Sequence, residues 1–141
     1  MKKVLLLFVS IFVISCGATK PVEKSTALYE VLTQQSDGGG NIRFFEILSE
    51  PNEISMLKSD VSLKGKINED DIAKSNFIIL NMGEKNTGGY SIGVEKVEET
   101  ATNIVITVKE TAPAPDSMVM QVITYPYAVV KINSKKDIII K

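Results

Sequence analysis

Apolar positions in this chain fall into short runs or alternate with polar ones, which is the patterning of β-strands and not of long helices. A first strand is predicted over residues 27–32, with Leu28, Glu30 and Leu32 facing one way and Tyr29 and Val31 the other. It runs into Ser36-Asp37-Gly38-Gly39-Gly40, a loop, because three glycines lose too much backbone entropy to sit inside an element. Residues 42–48 are rich in aromatic and branched side chains and predict a second strand. A short helix is predicted over 50–58: Ser49 can cap it, Glu50 and Glu53 meet the positive end of its dipole, and Pro51 is tolerated early. Ile54, Leu57 and Val61 would form its apolar stripe. Residues 62–75 are polar and read as a loop with one helical turn.

Residues 77–80 form a continuous apolar run, and Tyr90, Ile92 and Val94 alternate with polar residues after it. Between them lies Asn86-Thr87-Gly88-Gly89-Tyr90, whose asparagine and glycines accept positive φ, so the segment predicts a β-hairpin turn joining these two strands. Strands follow at 104–108, after a turn at 100–103, and at 118–124, 127–132 and 138–140. Pro113 and Pro115 exclude the loop at 111–116 from any ladder. About seven short strands and one short helix predict a mainly β, β-rich α+β domain, an antiparallel sheet or sandwich-like fold.

The N-terminal residues bear on compartment. Lys2 and Lys3 precede an apolar stretch over 4–14, shorter than the roughly 20 residues that a spanning helix needs, as in a secretory signal peptide. Its end resembles a lipobox, the signal by which bacterial lipoproteins are cut before a cysteine that is then acylated, and the chain's single cysteine, Cys16, stands where the motif requires it. The expected organisation is a signal peptide over 1–15, a flexible tether over 16–26 and one β-rich domain over 27–141, preceded by a palmitate-bearing anchor on Cys16 in the bacterial envelope. Gly17 replaces the aspartate linked to inner-membrane retention, which leans towards the outer membrane.

Charge and residue inventory then remove whole classes of chemistry. Losing Lys2 and Lys3 takes the 16 basic residues to 14 against 17 acidic ones, so no basic field exists to hold nucleic acid. The absence of histidine removes His-based triads, most zinc sites and the usual neutral-pH general base. With Cys16 lipidated, neither a disulfide nor a cysteine nucleophile is available. Asp70 and Asp71 are the densest acidic cluster, but neighbouring residues point apart and the alternating ligands of a calcium loop are missing. Neither glycine cluster fits a phosphate cradle. The chain reads as a non-enzyme without metal or cofactor. Tyr90, Tyr125 and Tyr127, each beside a rigid turn, suit either a contact surface or the margin of a core.

The order Asn86-Thr87-Gly88-Gly89-Tyr90-Ser91-Ile92, an alternating strand, the Pro113-Ala114-Pro115 loop, Gln121, and Thr124-Tyr125-Pro126-Tyr127 before a hydrophobic strand resembles the PrcB C-terminal domain family, over about residues 42–132. That family is named for a lipoprotein subunit of a bacterial surface protease complex. The resemblance implies association with, or stabilisation of, an exported protease, and no activity of its own. The same turn is partly similar to the inhibitory loop of chagasin-type protease inhibitors, though without its proline and without counterparts of the other two loops. The expected function is therefore partner binding by a membrane-anchored, non-catalytic protein, through Asn86, Thr87, Gly88, Gly89, Tyr90, Pro113, Pro115, Thr124, Tyr125, Pro126 and Tyr127 gathered at one end of the sheet. The alternatives are a protease inhibitor that uses the turn as a wedge, or a small-ligand or envelope-polymer binder.

Overall fold

The computed structural model describes residues 27–141, so the signal peptide, Cys16 and the tether lie outside the described residues. In chain order the elements are β1 (Tyr29–Gln35), β2 (Phe44–Leu48), α1 (Pro51–Leu57), a 3-10 turn (Val61–Leu63), α2 (Glu69–Lys74), β3 (Asn76–Asn81), β4 (Ser91–Glu99), β5 (Asn103–Thr111), β6 (Tyr127–Ile132) and β7 (Asp137–Ile140). They build two sheets. One has four strands in the order β1-β6-β3-β2, all neighbours antiparallel; the other has three in the order β4-β5-β7, with β7 parallel to β5. The mainly β, sandwich-like class that the sequence predicts is what the chain adopts.

The four-stranded sheet is covered on both faces. Ile78 and Leu80 of β3 and Ala128, Val130 and Ile132 of β6 point to the second sheet, where they meet Ile92, Ile104 and Ile106, all buried. The intervening residues Phe77 and Val129 point the other way, onto Ile54 and Leu57 of α1 and onto Leu63 and Ile67. A strand buried on both faces has no polar side to show, which is why residues 77–80 read as an unbroken apolar run. Phe77 is wholly buried, and burial of a side chain of that size stabilises the fold by about 1.5–3 kcal/mol. On the helical face Lys131 of β6 reaches Glu30 of β1 at 2.9 Å and Asp71 of α2 at 3.5 Å, fastening α2 to the sheet.

Local expectations change where longer-range contacts decide. Glu50, not Ser49, is the N-cap of α1, and Glu53 accepts from the Ser49 and Glu50 amides at 3.1 Å each. The helix ends at Leu57, so Val61 falls in the 3-10 turn and is exposed, while Ile54 and Leu57 are buried as expected. The predicted helical turn is a second helix, α2, whose Asp71 accepts from Asn68 N at 2.8 Å. A bulge between Val31 and Thr33 breaks the alternation of β1, and Leu28 packs between the sheets while Leu32 packs under the helices.

Two corrections are larger. The strands on either side of residues 86–90 are not a hairpin, because β3 lies in the four-stranded sheet and β4 in the three-stranded one. Residues 82–90 therefore cross from one sheet to the other. Residues 118–124, predicted as a strand, are irregular, and their one ladder contact is the isolated bridge between Thr124 and Lys85. The edge strand predicted at 138–140 does form, as β7.

Candidate functional site

The register of the four-stranded sheet puts Gln35, Tyr127, Asn81 and Phe44 in one row at one end of the sheet. Each is where a strand meets a loop, so the loops 36–43, 82–90 and 112–126 gather there. Asn81 holds the first of them. It is buried, its Oδ1 accepts from Gly40 N at 2.9 Å, and its Nδ2 donates to the carbonyls of Gly40 at 2.9 Å and Ile42 at 2.5 Å. Gly39 lies so close that a Cβ there would stand 2.2 Å from Asn81 Oδ1 and 2.8 Å from Tyr125 O. Its amide donates to that same Tyr125 carbonyl at 2.9 Å.

The crossover is clipped to the late loop in the same way. Lys85 and Thr124 exchange two backbone bonds of 2.9 Å, Gly88 N donates to Met120 O at 2.9 Å, and Met82 N donates to Pro126 O at 2.9 Å. The Thr124 hydroxyl donates to Thr87 O at 2.9 Å. Gly89 takes a φ of +88°, and a Cβ built on it would stand 2.9 Å from Pro113 Cβ, so the proline loop is seated on the glycine. Each such hydrogen bond contributes about 0.5–1.5 kcal/mol net. Together they hold three loops in one arrangement.

The expected residues thus fall into two groups. Asn86 and Gly89 are exposed, Thr87, Gly88, Tyr90, Tyr125 and Tyr127 are half-buried, and Pro113 is half-buried against Gly89. Thr124 and Pro126 are buried, Pro126 wholly, whereas a small part of Thr124 reaches the groove beside the glycines. Pro115 is exposed two residues beyond Pro113, at a turn in the loop. Tyr90 packs against the core between the sheets and takes Lys85 Nζ over its ring, 5.6 Å from the centroid. Tyr127 packs under the helices and against Gly38.

Tyr125 is the most polar of these rings. Its hydroxyl donates to Glu84 Oε2 at 3.3 Å and its amide to Asp37 Oδ1 at 3.2 Å. Desolvation and then the negative charges of Glu84 and Asp37 push its phenol above the ordinary tyrosine value, since each disfavours the phenolate. Sequence reasoning overlooked Asn81, Asp37 and Glu84. The signal for Asn81 was present, as a polar residue closing an otherwise apolar strand. For Asp37 and Glu84 no local signal exists, because they meet Tyr125 from 88 and 41 residues away.

Beside the glycines lies an open groove of about 410 Å³, lined by Ser36, Asp37, Gly88, Gly89 and, from the late loop, Met118 to Met120 and Val122 to Thr124. No tyrosine lines it. Among the described residues no three His, Cys, Asp or Glu side chains stand together as metal ligands. Asp70 pairs with Lys74 at 3.1 Å, and Asp71 serves α2 and Lys131, so both acidic neighbours have structural partners.

Fold and site together define a two-sheet β domain whose loops 36–43, 82–90 and 112–126 are hydrogen-bonded to one another at one end of the four-stranded sheet. Residues 76–133, from the first residue of β3 to just past β6, match the family model described as PrcB C-terminal. The match contains every motif residue named above, while β1, β2 and the helices precede it. Comparison with curated proteins and with solved structures gave no match.

Proposed function

We propose that this chain is a membrane-anchored, non-catalytic subunit or stabiliser of an exported protease complex, holding its partner through the end of the domain where the loops of Asn86, Pro113 and Tyr125 meet. The observation that carries this reading is that convergence: segments separated by as many as 88 residues are hydrogen-bonded into one preformed surface. Preforming a surface removes part of the ordering cost of association. The class of partner is inferred from the protease complex for which the PrcB family is named, and the match over residues 76–133 supports that inference.

The position of the described N-terminus supports the reading as well. Ala27 O accepts from Asn133 Nδ2, and Tyr29 pairs with Ile132, whereas Gln35 pairs with Tyr127. The chain therefore enters the domain at the pole opposite the site, about 20 Å away along β1. A tether rising from lipid on Cys16 would leave the site facing away from the membrane.

The inhibitor reading loses support, because residues 86–90 do not project as a hairpin but lie against Met120 and Pro113. A small-ligand reading needed a pocket lined by tyrosines, and the groove beside the turn has none. Affinity capture from native membranes, with the lipidated full-length chain as bait and mass spectrometry as readout, tests the proposal. Recovery of an exported protease, lost on alanine replacement of Thr87, Tyr90 and Tyr125 together in a chain that stays folded, is the expected result. Recovery of envelope polymer alone would overturn it, and inhibition of purified proteases would move the assignment to the inhibitor class.

A further inference from the structure

Residues 118–123 are where side-chain chemistry and backbone conformation part company. Met118, Val119, Met120, Val122 and Ile123 make a run suited to a strand, yet the segment joins no ladder. Among the described residues, only the Met120 carbonyl of its backbone groups has a partner, the Gly88 amide. The side chains are also left in water: Met118 is 102% exposed, Met120 74%, Ile123 52% and Val122 46%. Single apolar residues on a surface are ordinary, but four within six residues form a patch. An apolar segment of strand-favouring residues, whose N–H and C=O groups are mostly without partners among the described residues, is a template for pairing with another extended chain. Departures from the conformation that local sequence favours concentrate at functional sites.

The groove beside the segment indicates what that chain carries. Asp37 is its sole charged lining residue, with Glu84 nearby across Tyr125. A cation complements it, and an anionic lipid surface would be repelled. A second copy of the same segment cannot supply the cation, since residues 111–130 contain Asp116 and no lysine or arginine.

We propose that residues 118–123 receive an extended segment of a partner protein by strand addition, with apolar side chains at alternate positions seated along the groove and a basic residue against Asp37. This rests on the partner-binding reading and narrows it to one edge and one kind of peptide. Methionines suit such a surface, because their unbranched side chains repack around different apolar partners.

The test is selection of a displayed library of random peptides, about eight residues long, on the full-length chain in detergent. The expected peptides alternate apolar residues, carry Lys or Arg, and bind at least about tenfold more weakly to a Val122→Lys, Ile123→Lys double variant, whose changes fall on exposed positions. Asp37→Asn keeps an acceptor for the Tyr125 amide but abolishes the preference for a basic residue. Amide hydrogen exchange at 118–123 slows when the tightest peptide is added, which contact with side chains alone would not cause. No enrichment, peptides without alternation or basic residues, equal binding to the double variant, or unchanged exchange each overturns strand addition. Self-association of the chain that Val122→Lys abolishes would assign the edge to a second copy and overturn it too. A protease captured from membranes and still held by the double variant refutes the strand addition alone, whereas capture of no protein refutes the partner-binding reading itself.

Discussion

Replacing Gly89 by alanine adds one methyl group at the point where the crossover meets the proline loop. The residue's φ of +88° lies in the left-handed region, where an L side chain costs about 1–2 kcal/mol. The new Cβ would stand 2.9 Å from Pro113 Cβ and 3.3 Å from Val119 Cγ1. A proline ring cannot rotate out of the way, so the loop backbone must shift, and overpacking of this kind costs about 1–3 kcal/mol. The lost flexibility of the unfolded chain returns about 0.4–1 kcal/mol. The net expectation is a destabilisation of about 3 kcal/mol, a large part of the roughly 5–15 kcal/mol that holds a domain folded. Gly88 provides the control one residue away. Its φ is not positive, and a Cβ there meets nothing nearer than Met120 Cβ at 3.7 Å, an ordinary contact. Gly88→Ala is therefore expected to be neutral or to stabilise by up to about 1 kcal/mol. Urea titrations followed by far-ultraviolet circular dichroism compare the two variants directly. An unchanged midpoint for Gly89→Ala, or equal losses in both, would refute the claim that the two glycines have different tasks.

Asn81→Ala removes three hydrogen bonds from a buried position and leaves the backbone of Gly40 and Ile42 without its partner, so a loss of about 2–4 kcal/mol is expected, with faster amide exchange across 36–42. Burial by itself would lower the pKa of Lys131, but the carboxylates of Glu30 and Asp71 outweigh it and hold the ammonium above its ordinary value of 10.5. A raised lysine pKa binds its proton more tightly folded than unfolded, so its stabilisation is whole below pH 10.5 and is lost as pH rises through the raised value. Lys131→Met should flatten that alkaline limb of the stability curve, and an identical limb in the variant would count against the assignment. The Tyr125 phenol should ionise above the ordinary tyrosine value, and both Glu84→Gln and Asp37→Asn should move it back down, as followed by NMR of ring-labelled tyrosine. No movement in either variant would remove the two carboxylates as the cause.

Much of this fold can be read from local pattern because it depends on near neighbours. The β6 strand is predicted with its observed bounds, and β4 and β5 are joined through residues 100–102, where the Asn103 amide donates to the Thr100 hydroxyl at 2.9 Å. What could not be read is which strands pair. Asparagine and glycine in residues 86–90 do specify a positive φ, and Gly89 has one, but that choice fixes a bend and not the partner of the strand that follows. The apolar run at 77–80 is buried on both sides because a second sheet, built from residues 91–111 and 137–140, closes over it, a contact that no window of sequence contains. Residues 118–124 mislead for the opposite reason, since their side chains favour a strand but the neighbouring ladder positions are empty. The site was legible as a set of residues and not as a structure. Tyr125 and Gly89 stood out by type, whereas Asn81, which fixes the glycine loop beside them, is recognisable only once β3 is seen to end there.

The central claim is that the surface around Tyr90 and Tyr125 holds an exported protease. Its most direct test is the amount of protease that the lipidated full-length chain retains from native membranes, compared with Val61→Ala, an exposed change in the 3-10 turn away from the site, and with Tyr90→Ala, Tyr125→Ala at matched folded concentration. The account predicts that Val61→Ala retains the protease at the parental level and that the double tyrosine variant loses most of it. Equal retention by all three, or no protease retained by any, would contradict the account.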